Sequence, residues 1–77
     1  MNATLDINQY IAGIETCKNN NSDIGKELGV AAVVDAMNTL TDSELTALAF
    51  GNSNTLESAK ELYEAHFKLG CALNKPE

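Results

Sequence analysis

The chain has 77 residues, eleven acids against five bases, and a formal net charge of −6, and every base is a lysine. So short a chain encloses one hydrophobic core, which buries roughly 60 to 65% of the unfolded surface and leaves a margin of only a few kcal/mol. The charge repels DNA, RNA and anionic lipid, and without arginine the chain lacks the guanidinium fork that grips phosphate and guanine. No apolar run approaches the roughly 18 residues that span a bilayer. No charged-then-apolar stretch precedes the first helix, so no secretory leader is expected. Cys17 and Cys71 are the only cysteines. Two distant cysteines do not make a disulfide framework, and free thiols in the cytoplasm are expected.

Apolar spacing and caps predict an all-α chain, residues 1–77 forming one small bundle of about four helices, one of them short. The first helix starts at Asp6, with Gln9 completing a capping box and Leu5 placed to staple onto Tyr10. Ile7, Tyr10, Ile11, Ile14 and Cys17 follow on one stripe. Asn19-Asn20-Asn21 predicts its end, because asparagine competes for backbone hydrogen bonds.

A second helix is expected from Ser22 or Asp23 to Leu40. Its run Val30-Ala31-Ala32-Val33-Val34 is apolar almost all round, as in a helix buried on several sides. Gly29, at the changeover, predicts a kink or break.

Thr41-Asp42-Ser43-Glu44 is a capping box that starts a short third helix, which ends at Phe50 with Gly51 expected in a left-handed conformation. Asn54 with Glu57 is expected to cap a fourth helix reaching about Leu73. At 100° per residue, Glu57, Lys60, Glu61, Glu64 and Lys68 share one charged sector. Leu56, Tyr63, Phe67 and Gly70 form one apolar seam, and Leu62, Leu69 and Leu73 form another, beside Ala65 and Ala72. The expected core is Ile7, Ile11, Ile14, Leu28, Val30, Val33, Val34, Met37, Leu45, Leu48, Tyr63 and Phe67.

No residue pattern here predicts catalysis. His66 lies on the apolar side of the fourth helix, and no orienting acid or oxyanion-hole motif accompanies it and a cysteine. Cys17, His66 and Cys71 would supply three ligands where structural zinc takes four at compact spacing. Twelve residues from Asn19 end at Val30, not at the glutamate that closes a calcium loop. Gly25 and Gly29 fit neither phosphate-binding glycine pattern. Neither enzyme activity, metal nor cofactor is expected.

The expected function is therefore binding to another protein, a basic surface being the complementary one, by a small acidic regulator or inhibitor. Small acidic proteins of phages and mobile elements offer the analogy. The expected contact surface is Leu62, His66, Leu69 and Leu73, with Glu57, Glu61 and Glu64 as an acidic face. The surplus seam also predicts a homodimer, which Leu69→Glu should convert to helical monomer in light scattering. The alternative is a degenerate helix-turn-helix DNA-binding regulator. Ile24-Gly25-Lys26-Glu27-Leu28-Gly29-Val30 resembles the first helix and turn of that motif. Against it, the would-be recognition helix from Ala31 to Leu40 carries Asp35 and no base.

Overall fold

A computed structural model describes residues 6–74. Among these there are four α-helices and no strand: α1 (Ile7–Leu28), α2 (Val30–Met37), α3 (Asp42–Phe50) and α4 (Leu56–Leu73). The expected all-α bundle of four helices is what forms, with two short helices, α2 and α3, where one was expected. The proposed staple from Leu5 lies outside the described residues.

Asp6 starts α1 with the full capping box: its side chain accepts from the Gln9 amide at 3.0 Å, and Gln9 accepts from the Asp6 amide at 2.8 Å. The asparagine run does not end the helix. α1 continues through it for 22 residues, because Asn21 finds a tertiary partner: its Nδ2 donates to the His66 carbonyl oxygen at 2.9 Å. A side chain bonded to a neighbouring helix no longer competes for its own backbone.

The break comes at Gly29, where φ is 98° and ψ is 167°. That region is essentially closed to any residue with a Cβ. The chain turns back within this one residue, and Val33 packs over Gly25. α2 ends at Met37, three residues before the expected limit, and the Thr39 hydroxyl closes the turn by donating to the Ala36 carbonyl at 2.7 Å.

Thr41 and Glu44 form the expected capping box of α3. Gly51 ends the helix in extended backbone, φ −64° and ψ 158°, not in the left-handed form. The cap of α4 lies one residue beyond expectation. Thr55 and Ser58 make the box, while Asn52 accepts from the Asn54 amide and the Ser58 hydroxyl at 3.0 Å each.

α4 is the centre of the assembly, touching all three other helices, and its contact with α1 is the most extensive. Gly13 sits under the Tyr63 ring, and two turns further on Asn21 reaches His66. The two helices therefore run in the same direction. A Cβ at residue 13 would lie 2.6 Å from that ring, so the close approach needs glycine. α3 returns antiparallel to α4, tied by Lys68 to Glu44 at 3.0 Å.

The interior is built mainly from small side chains. Ile14, Ala36, Ala59, Ala65 and Leu73 are the buried apolar residues, with Ala59 fully covered. Of the expected core, Ile14 is buried, and Ile7, Val33, Met37, Leu45, Leu48 and Tyr63 are half-buried. Ile11, Leu28, Val30, Val34 and Phe67 are exposed instead. α2 has only 8 residues and packs on one side, so its apolar circumference cannot all be covered. Phe67 lies on the exposed rim of α4.

Two substitutions separate the junction from the interior. Nothing lies within 4 Å of a Cβ built at Gly29, so Gly29→Ala should cost about 1–3 kcal/mol by backbone strain alone. Leu73→Ala should cost about 2–4 kcal/mol by leaving a cavity, whereas Val30→Ser should stay within about 0.5 kcal/mol. Chemical denaturation of the three variants checks the order.

Candidate functional site

The structure places the second seam of α4 inward, where the sequence had suggested a free surface. Leu73 is 8% exposed, and Leu62 and Leu69 are half-buried. Ala59, Ala65 and Ala72 flank this seam, and Ala59 and Ala65 are buried with it. The homodimer expected from Leu62, Leu69 and Leu73 would have to form on a seam that one chain already covers in part. Leu69→Glu would place a charge at a half-buried position and so lower the stability of the single chain as well.

The other seam is divided: Tyr63 and Gly70 meet α1, while Leu56 and Phe67, the latter expected in the core, are exposed. Phe67 is 52% exposed, and Leu56 is exposed one end down. Tyr63 links Phe67 to α1, stacking on Phe67 with ring centres 6.1 Å apart and meeting the edge of Tyr10 at 5.7 Å. Aromatic pairs at such separations hold each other's orientation with about 0.5–1.5 kcal/mol each. Glu57, Glu61 and Glu64 stand exposed beside this strip. A depression of 610 Å3 runs between α3 and α4, with Ala47 and Ala65 in its lining and Glu61, Glu64, Tyr63 and Phe67 around them. On its α3 side the Thr41 amide, and then Lys68, hold the Glu44 carboxyl below the usual carboxylate range.

Other apolar groups are exposed at the two ends. Leu28, Val30 and Val34 project from the α1–α2 corner, and Phe50, 82% exposed, stands by the α3–α4 turn.

His66 lines a second, smaller cleft of 280 Å3 together with Cys17, Asn21, Phe67, Gly70 and Cys71. α1 and α4 thus bring the two cysteines and the histidine to one place, although far apart in sequence. The chemistry that follows is limited. Burial, and then the neighbouring Cys71, push the Cys17 thiol up, the opposite of what activates a nucleophile. His66 Nδ1 is buried with no hydrogen-bond partner, so no acid orients the ring. Among the described residues no group of three or more His, Cys, Asp or Glu side chains is placed to hold a metal ion. Both cysteines are free thiols.

The helix–glycine–helix segment departs from helix-turn-helix geometry. One residue, Gly29, separates α1 from α2, where that motif uses a turn of about three or four. α2 then carries Asp35 and no base. Among the described residues no helix is long and apolar enough to cross a membrane.

No protein-family model, no curated protein and no solved structure matches this chain. Its surface chemistry therefore carries the functional reading.

The histidine yields a pH test. Desolvation, and then the Lys18 charge, hold His66 below its ordinary value of 6.5. The folded chain thus binds a proton less readily than the unfolded one, and stability present above pH 6.5 is lost as pH falls below it. Melting temperature should fall from pH 7.5 to 5.5 more in the native sequence than in His66→Leu. That variant also removes the unpaired acceptor, so at pH 7.5 it should melt no lower than the native sequence.

Proposed function

We propose that this protein is a protein-binding module, a regulator or inhibitor that lays an acidic and partly apolar face over a site on a larger partner. One observation carries the reading. Large apolar side chains, Phe67, Leu56, Val30 and Phe50 among them, face water while alanines fill much of the interior. Apolar surface gathered next to polar groups is the usual mark of a contact surface. The α4 face is the preferred one, because there exposed Phe67 and Leu56 adjoin Glu57, Glu61 and Glu64 and so specify a basic, apolar counterpart. Self-pairing through α4 is not part of the proposal, since two copies would oppose like charges. Free thiols and the absence of a bilayer-length apolar helix among the described residues are compatible with action in the cytoplasm.

The test is parallel capture from the native host with the native sequence and with a Leu56→Ser, Phe67→Ser double variant. Both positions are exposed, so the variant should melt close to the native temperature. A partner held by the native chain and lost, by roughly tenfold or more, with the variant supports the α4 face. Equal retention by both excludes that face. Duplex DNA at low salt should not be bound; retention that weakens steeply with salt would instead favour the DNA-binding alternative.

A further inference from the structure

We infer that the depression between α3 and α4 receives an arginine-bearing basic segment of the partner, its cation lying on the Phe67 ring and paired with Glu61 and Glu64. This rests on the protein-binding reading above and names where, and on what chemistry, the grip occurs.

Three observations converge on it. First, the depression brings an exposed aromatic ring and two carboxylates together over an alanine floor, Ala47 and Ala65. A guanidinium can stack on the ring while its aliphatic stem lies along the apolar floor. Second, the nearby lysine is already engaged. Lys68 is held by Glu44 at 3.0 Å, whereas among the described residues no lysine comes within ion-pair reach of Glu61 or Glu64. Those carboxylates offer charge that the chain itself does not neutralise. Third, the ring is held in place: Tyr63 stacks on Phe67 and is braced in turn by Tyr10. A pre-oriented face loses little freedom on binding. Arginine suits the site better than lysine because its planar, weakly hydrated cation both stacks and forms two parallel bonds to a carboxylate.

The experiment follows backbone amide shifts of the isotope-labelled full chain during titration with an oligo-arginine peptide, with an oligo-glutamate peptide as control. The largest shifts are expected at Glu44 to Ala47 and Glu61 to Lys68, and binding should weaken as salt rises. Phe67→Leu keeps the bulk and removes the ring face; it should weaken binding about threefold. Glu61→Gln with Glu64→Gln should weaken it further, with the melting temperature retained. Equal shifts at Asp23, Glu27 and Asp35 would show general charge attraction and overturn the assignment. So would binding indifferent to Phe67→Leu, or sedimentation showing a native dimer that Phe67→Leu dissociates. A captured partner whose footprint falls on Leu28, Val30 and Val34 would also overturn it while leaving the protein-binding reading intact. Absence of any captured partner strikes that reading instead, so the two failures are distinguishable.

Discussion

Two neighbouring helices that run in the same direction cannot be joined by a short turn. α1 and α4 are such a pair, and their contact is the largest in the molecule. α1 has 22 residues, about 33 Å at 1.5 Å per residue, and the chain must come back along most of that length before α4 begins. α2 and α3, of 8 and 9 residues, supply about 25 Å of helix for the return, and their turns supply the rest. Gly29 makes the reversal in one residue. α2 then packs against α1 and α4, and α3 runs down to the turn that starts α4. The missing side chain at Gly13 and the Asn21 hydrogen bond both serve this same parallel contact.

What could be seen in the residues beforehand follows from how local each signal is. The boxes at Asp6–Gln9 and Thr41–Glu44 involve only neighbours three apart, and both form as expected. The break at Gly29 is also local, since nothing but glycine accepts that conformation. Asn19 to Asn21 misled because the competing effect is distant: a bond to His66, on another helix, outweighs the local preference. The start of α4 slipped by one residue because Asn52 folds back onto the Ser58 hydroxyl and Thr55 takes the cap, a pattern that the Asn54–Glu57 spacing imitates.

The candidate surface shows the same limit more sharply. Helical geometry identifies two apolar seams on α4, yet periodicity does not say which residues of each seam meet the other helices and which stay in water. The available signal lay in side-chain size. Ala65 and Ala72 adjoin the Leu62, Leu69 and Leu73 seam, and small residues permit the closer approach that dispersion rewards. Glu57, Glu61 and Glu64 are exposed, since a charged sector has only one low-energy destination, water. The pairing of Tyr63 with Tyr10 was not legible, since it depends on the parallel register of α1 and α4.

An interior made mainly of alanine has a further consequence. Each buried CH2 contributes about 0.8 kcal/mol, so replacing leucines with alanines leaves a chain of this length near the lower limit of independent stability. The exposed aromatic and aliphatic groups could have lined a larger core, but they stand on rims and ends where the short helices cannot reach them. The net charge of −6 opposes the approach of two such surfaces to each other. A basic partner meets no such opposition. Binding only the folded form at a hundredfold excess over its dissociation constant adds about 2.7 kcal/mol. That gain is comparable to the chain's own margin, so for the proposed module binding and folding become one linked equilibrium. The thin core, the outward aromatic seam and the acidity then cease to be separate features: a partner that covers the seam supplies the burial that the monomer lacks, and the charge decides which partners can approach.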